Sequence, residues 1–533
     1  MKSIEINNLQ PQNNERDLAI INAGLHEKIT QQDGKIQSLE QQINWFKRQI
    51  FGEKSEKFDM TDNPYQHTIA DILDELPGVP VNPLEEKQTI SYQRGKAKKN
   101  ALEGTPDDSG LRFDEDVPVE EIRLSAPELE GADASDYETI GQKVTYRLAQ
   151  RPSSHVILKY IRLVLKRRST QTITTIPAPS NVLDKSFADV SFLAGLLVDK
   201  FLYHMPLYRQ HQRLKQNGIE IARSTLTNLV KRSTELLRPI YQAQLENILR
   251  SRVLAMDETP IKAGRKQKGK LKRAYFWPIY GEQDEICFTF SLSRGIDHVI
   301  AQLGDFSGTL VTDGYGAYER FQKKNPELTH AQCWVHGRRY FEKAKEMEPE
   351  AVAIALSFIG RLYEHEKYIR QELLEGQSKL DYRSKNSKPV VDAFFNWCYG
   401  QRQRIDLVKS NPLSKALAYV MKRQVELNVY LSDPDVSMDT NHLERALRVI
   451  PMGRRAWLFC WTELGAEHVG IIQSLMVSCK LQGVDPYDYL VDVLQRVSSH
   501  PASKVEQLTP RVWKETFAEQ PMCSDLERLT HGS

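Results

Sequence analysis

Three acidic residues stand where a divalent metal could be held. Asp257 closes the short apolar run of SRVLAMDETP, before a turn containing Pro260, and Asp313 closes GTLVTDGYGAY beside Gly314 and Gly316. Two carboxylates at neighbouring strand ends offer hard oxygen ligands to Mg²⁺, with phosphate and water completing its octahedron. The glycines leave little bulk beside Asp313, so a polymer backbone can approach closely. A third ligand has to come from elsewhere. Glu444 in DTNHLERALRVI is the best candidate, at the start of an expected helix whose apolar side is Leu443, Ala446, Leu447 and Ile450. Asp439, Thr440 or Asn441 could cap that helix. Glu463 and Glu467 in TELGAEHVG remain alternatives for the third ligand. Taken alone, each acid reads more readily as a cap or a surface charge than as a ligand.

A phosphodiester substrate would also need positive charge near those acids. The stretch KAGRKQKGKLKR, expected as a loop, carries Lys262, Arg265, Lys266, Lys268, Lys270, Lys272 and Arg273. Arg445, Arg448, Arg454 and Arg455 follow Glu444. Cys333 with His336 has the look of a zinc pair, but two ligands without partners do not make a site. Cys333 and Trp334 are therefore expected in the core.

The elements that must position these residues are legible as changes of period. The runs 272–280 and 285–293 read as strands, as do the short runs ending at Asp257 and Asp313. Residues 137–169 alternate apolar and polar in strand fashion and end in a basic strand with Lys159, Arg162, Lys166, Arg167 and Arg168. Helix formers follow, and a break at Gly218 leads into a helix that Ser224 could cap, with Leu226, Leu229 and Val230 inward. Helix, glycine turn and helix resemble a helix-turn-helix, although packed helical hairpins share that pattern. Near the N-terminus, Leu18, Leu25, Ile29, Ile36, Leu39, Ile43, Phe46 and Ile50 keep a three-four rhythm suited to a coiled coil. Prolines and the basic run RGKAKKN at 94–100 mark a linker.

Composition bounds the function classes. The chain has 533 residues, with 72 Lys and Arg against 70 Asp and Glu, so its net charge is only +2. A uniformly basic nucleic-acid coat is excluded, whereas separate basic patches are not. Six cysteines, none before Cys287 and none in a CxxC pair, argue against a disulfide scaffold or a cysteine-rich zinc module. No apolar stretch approaches the ~20 residues of a membrane span. A reducing, cytoplasmic chain without a membrane partner is expected.

MDETP at 256–260, LVTDGYGAY at 310–318, HAQCWVHGRRYF at 330–341 and NHLERALR at 441–448 resemble, in order, the signature segments of the IS66-family transposases, DDE enzymes of bacterial insertion sequences. YHMPLYRQ at 203–210, GIEIARSTL at 218–226, GRRAWLF at 453–459 and LQGVDPYDYL at 481–490 extend the likeness over about 175 to 496, and FKRQIFGEKSEK at 46–57 carries it to the N-terminal region. The resemblance implies an α/β protein with an RNase H-like catalytic core. Asp257, Asp313 and Glu444 would be its catalytic and metal-binding carboxylates. Two Mg²⁺ ions per site are implied, with Mn²⁺ as a substitute, and family-like positions make His336, Arg338 and Arg339 DNA-contact candidates. The separation of 131 positions from Asp313 to Glu444 is too long for a plain core and implies a large helical insertion.

The expected organisation is a coiled-coil helix at 15–57, a linker at 58–115, a small β-rich basic module at 116–174 and a helical, helix-turn-helix-like DNA-binding region at 185–249. The core follows in two parts, 250–340 and 432–496, around a helical insertion at 341–431, and a C-terminal tail occupies 497–533. Relatives in the family often carry a cysteine zinc module ahead of YHMPLYRQ; the missing cysteines make N-terminal zinc unexpected here. The implied activity is metal-dependent phosphodiester hydrolysis and strand transfer at insertion-sequence ends. Partners would be terminal inverted repeats and target DNA, a second protomer or more, and accessory proteins of the element. A nuclease of the same fold, a decayed DNA-binding transposase and a structural interaction protein are the rival readings.

Overall fold

Alternating strands give way to continuously buried ones along the chain, and the architecture changes with them. The computed structural model describes residues 111–130, 134–151, 154–267, 270–405, 407–457 and 462–531. The three-four rhythm at 15–57, the linker up to residue 110 and the basic run at 94–100 lie outside those residues.

The first described strands are β1 (Arg112–Phe113), β2 (Val119–Leu124), β3 (Tyr137–Arg151), β4 (Ser154–Arg167) and β5 (Ile173–Thr175). β3 and β4 form a long antiparallel hairpin, β2 runs parallel to β4, and β5 also pairs with β4. The basic strand spends much of its charge inside this module. Lys159 pairs with Glu121 at 2.6 Å, Arg167 with Asp136 at 2.8 Å, and Arg162 donates to the Ile176 carbonyl and the Thr145 hydroxyl, each at 3.0 Å.

Four helices follow: α1 (Val190–Phe201), α2 (Leu207–Gln216), α3 (Arg223–Leu236) and α4 (Arg238–Leu249), with β6 (Ile219–Glu220) between α2 and α3. Asp189 caps α1 by accepting from the Ser191 N–H at 2.9 Å. Ser224 does not cap α3; the helix begins one residue earlier, and Ala222 occupies the cap position without a side-chain bond. The turn is held instead by main chain, as β6 pairs with β1 and Asp114 donates its N–H to the Gly218 carbonyl at 2.8 Å.

The central sheet comprises β7 (Val253–Met256), β8 (Thr259–Gln267), β9 (Lys270–Tyr280), β10 (Ile286–Ser291), β11 (Thr309–Thr312) and β12 (Thr329–Gln332). Its order is β10-β9-β7-β11-β12, with β8 also paired to β9. β7, β11 and β12 run parallel, and β8, β9 and β10 are antiparallel neighbours. The basic stretch at 262–273 is thus mostly a hairpin rather than a loop. Ile261 and Ala263 are buried on either side of exposed Lys262, a short period-2 signal that the surrounding lysines mask.

Side chains alternate across this sheet into two cores. Leu254, Met256, Trp277, Ile279 and Leu310 pack with α5 (Ile296–Leu303) and α6 (Gly316–Lys324) through Val299, Leu303, Tyr318 and Phe321. Ala255, Phe276, Phe288 and Val311 belong to the larger core on the opposite face. After β12 come α7 (Trp334–Glu342), α8 (Pro349–Gln371), α9 (Gly376–Tyr382), α10 (Lys388–Arg402), α11 (Pro412–Lys422) and α12 (Gln424–Asn428). Arg383, fully buried, pairs with Glu366 at 2.8 Å and donates to the carbonyls of Tyr430, Asp433 and Val436. It ties these helices to the segment that leads into α13 (Asn441–Leu447).

The chain ends in α14 (Val449–Gly453), α15 (Glu463–Leu481), α16 (Pro486–Arg496), α17 (Pro510–Thr516) and α18 (Asp525–His531). α15 lies along the outermost strand, β10. Ser474 accepts from the Phe288 N–H at 2.8 Å and Ser478 from the Ile286 N–H at 3.1 Å, while Gln244 of α4 donates to the Ile286 carbonyl at 2.8 Å. The approach needs Gly470, where a Cβ would stand 2.5 Å from the Phe288 carbonyl oxygen. The tail is packed, with Asp525 accepting from the Tyr160 hydroxyl of the first module at 2.6 Å. No described helix is long and apolar enough to cross a membrane.

Candidate active site

Asp257 and Asp313 meet because their strands are parallel neighbours in register. Leu310 is paired with Leu254 and Val311 with Ala255. Two residues further along each chain the same register sets Asp313 beside Asp257, at the C-terminal ends of β7 and β11. Both strands are buried throughout, so the aspartates are the first charged groups these two strands present there.

Asp257 and Asp313, with Glu258, each offer an oxygen within 4.8 Å of the others, and among the described residues this is the group suited to a metal ion. Glu258 is held in place from behind. Its side chain is only 2% exposed, Arg294 donates to Oε1 at 2.7 Å, and the Tyr318 hydroxyl donates to Oε2 at 3.0 Å. Arg294 in turn lies over the Tyr315 ring at 3.9 Å.

The titration of this group reflects its crowding. Burial, then Asp313 and Glu258, push the Asp257 carboxyl up to about 7. Burial and Asp313 also raise Glu258, against the opposing pull of Arg294 and Tyr318. Negative charge gathered without enough compensation is what a bound divalent cation relieves. The donor set is all carboxylate oxygen, which fits Mg²⁺ or Mn²⁺.

Glu444 is near enough to this group for its charge to reach Asp257, without being one of the three. Its charge contributes to raising Asp257. One carboxylate oxygen is paired with Arg339, and the other is buried without a hydrogen-bond partner, 3.9 Å from His336 Nε2. An orphaned carboxylate oxygen beside an acidic pair again fits a cation. Glu463 and Glu467 point elsewhere: they pair with Lys272 at 3.7 Å and with Arg238 at 3.5 Å.

The backbone around Asp313 is braced by residues that sequence reasoning did not single out. Gly314 has φ +83°, and a Cβ there would lie 2.7 Å from Arg423 Nε and 2.9 Å from Gln332 Oε1. Tyr419 of α11 and the adjacent Arg423 donate to the carbonyls of Asp313 and Gly314. Thr312 shares a hydrogen bond with buried His330 at 2.8 Å, and burial holds that imidazole down at about 4. Neither Tyr419 nor Arg423 carries a local signal, because the contacts span more than a hundred positions. Glu258 had one, its place beside Asp257 in MDETP.

The expected DNA-contact residues fall into separate groups. Lys262, Arg265 and Arg273 are exposed on the β8–β9 hairpin, and Lys272 is half-buried beside Glu463; the side chains of Lys266, Lys268 and Lys270 lie outside the description. Arg445, Arg448, Arg454 and Arg455 are exposed on and after α13. Arg338 pairs with Glu342 at 2.9 Å. Cys333 and Trp334 are buried in the core, and the Trp334 indole donates to the Leu427 carbonyl at 2.9 Å.

A family model described as "Transposase IS66 family" matches residues 185–468, more than half of the chain, and a second, "IS66 C-terminal element", matches 474–511. Both proposed aspartates and Glu444 lie in the first. Among relatives, the chain is 28% identical over 510 residues to the uncharacterized protein y4jD of Sinorhizobium fredii (strain NBRC 101917 / NGR234), covering 92% of this chain and 97% of the relative. It is 26% identical over 518 residues to y4hP of the same organism, covering 91% and 90%.

Proposed function

The chain belongs to the IS66 family of DDE transposases, and from that premise we propose that Asp257, Asp313 and Glu444 are its catalytic carboxylates. Family membership implies a divalent-metal enzyme of DNA transposition that binds DNA at insertion-sequence ends. The finer reading is hydrolysis at the element end followed by transfer of the freed 3′-hydroxyl to target DNA, on an RNase H-like core. The observation that carries it is the register of β7 with β11, which aligns Asp257 with Asp313 at one sheet edge.

Asp257, Asp313 and Glu444 would hold divalent ions, which would supply activation of the attacking oxygen and stabilisation of the leaving one. The protein's share is to hold the charges in place. Arg294 and Tyr318 fix Glu258, and Tyr419 and Arg423 fix the Asp313 turn. Arg339 neutralises one oxygen of Glu444 and sits where a substrate phosphate can compete for its guanidinium. The exposed arginines after Glu444 and the basic β8–β9 hairpin supply backbone attraction for DNA on either side. Pairing two element ends calls for at least two protomers.

The test uses labelled duplexes carrying the terminal inverted repeats that flank the gene, with Mg²⁺ and a target plasmid. Cleaved and joined products are expected from the parent and neither from Asp257→Ala. Cleavage that persists unchanged in Asp257→Ala would sink the assignment, and cleavage without joining would favour the plain nuclease.

A further inference from the structure

The α2–α3 unit has an outward face that the catalytic chemistry does not use. On α3, Leu226, Leu229, Val230 and Ser233 are buried, while Arg223, Ser224, Thr227, Asn228 and Lys231 are exposed. The exposed set recurs at i, i+1, i+4, i+5 and i+8, a single stripe along the helix. Its chemistry is that of base-edge readers: an amide, two hydroxyls and two long cations, with no apolar or acidic side chain among them.

The charged side chains of the stripe itself are basic, and acids lie at its borders. α2 carries Arg209, Lys215 and Arg213, the last paired with Asp199 at 2.6 Å, and α3 carries Arg223, Lys231 and Arg232. The acid on these two helices, Glu235, is turned inward and paired with Arg238 and His468. Acidic groups adjoin the unit at its turn, where Asp114 packs against Gly218, and at exposed Glu220 on β6. Arg209 and Lys215 are exposed, and a cleft of about 400 Å³ places Arg209 beside the exposed ring of Tyr203.

The unit is also rigid where a reader must be. α2 and α3 are joined by six residues, 217–222, longer than the three or four of the tightest helix-turn-helix units. The added length is fixed by β6 on β1 and by the main-chain bond into Gly218 at φ +75°. Beneath it, α1 is buried at all but one of its twelve positions, so α3 stands on a packed base.

We propose that α3 lies in the major groove of duplex DNA, with Asn228 and Thr227 reading base edges and Arg209 and Lys215 gripping flanking phosphates. This rests on the transposase reading, since it names how the same DNA partner is recognised, but binding and chemistry can be scored separately. An amide such as Asn228 pairs bidentately with adenine, and each good base contact discriminates by about 5- to 150-fold. Phosphate contacts add affinity without sequence preference.

The experiment selects bound species from a random-core duplex pool with the full chain in Ca²⁺. A short sequence motif is expected from the parent. The doubly substituted Thr227→Ala, Asn228→Ala protein should keep its melting temperature and overall affinity within a few-fold, while the motif loses preference at one or two positions. The Arg209→Ala, Lys215→Ala pair should weaken every duplex evenly and reduce the log-log salt slope by about 2. No motif from the parent, or an unchanged motif from the Thr227/Asn228 variant, overturns the proposal. Asp257→Asn serves as the separating control: the motif survives in it whether or not the catalytic assignment is right.

Discussion

Tyr419 donates its hydroxyl to the main-chain carbonyl of Asp313 at 2.7 Å. Arg423 lies over the Tyr419 ring at 4.0 Å and donates to the next carbonyl, that of Gly314, at 3.2 Å. Both residues come from the long helical stretch between β12 and α13. That stretch therefore braces the backbone of an acidic strand end as well as separating the two parts of the sheet-and-helix core.

Tyr419→Phe keeps the ring and deletes the bond. A cost of about 1 kcal/mol in stability is expected, with a drop on the order of 10- to 100-fold in metal affinity, as for other groups that orient a ligand. Titration with Mn²⁺, followed by its paramagnetic signal, measures this. Parent-like affinity would show that the bond is only structural.

Gly314→Ala forces a side chain into a left-handed turn at φ +83° and against Arg423 and Gln332. A loss of about 1–3 kcal/mol is expected, read as a lower midpoint in urea. The equivalent change at Gly316, where nothing lies within 4 Å of a Cβ, should be mild by comparison.

The raised Asp257 carboxyl sets a pH dependence for the metal-free protein. Its folded-state value of about 7 exceeds the ordinary value near 3.9 for an unfolded aspartate. The folded protein thus binds the extra proton, and the stability this gives is complete below about pH 4 and lost as pH rises through about 7. Thermal melts in EDTA should show this loss, and Asp257→Asn should flatten it. Mg²⁺ should stabilise the parent most at the alkaline end, where the carboxylates are free of protons. A melt with no such slope contradicts the crowding of the acids.

Glu444→Gln leaves shape unchanged while removing a charge that has one oxygen buried and unpartnered. Cleavage of terminal-repeat DNA should fall by about three orders of magnitude or more, roughly 4 kcal/mol of transition-state stabilisation. The melting temperature should hold or rise. Retained cleavage would move the third-ligand role to Glu258, which already shares the oxygen cluster with Asp257 and Asp313.

The two aspartates were legible because each ends an apolar run at a turn, and the strands carrying them were legible for the same reason. The first arm of the hairpin, β8, was harder: among its basic residues the buried side chains are Ile261 and Ala263, so charge hid the period. Ser224 looked like a cap because local chemistry favours it, whereas pairing of β6 with β1 starts the helix earlier. The braces at Arg294, Tyr318, Tyr419 and Arg423 had no local signature. Their partners are chosen by how the sheet and the inserted helices come together.

Ser474, Ser478 and Gln244 occupy the outward main-chain groups of β10 at Ile286 and Phe288. A strand already answered by side chains has nothing left to offer a foreign strand at those positions. This border of the sheet is thereby closed, at Ile286 and Phe288, to pairing with a strand from another chain.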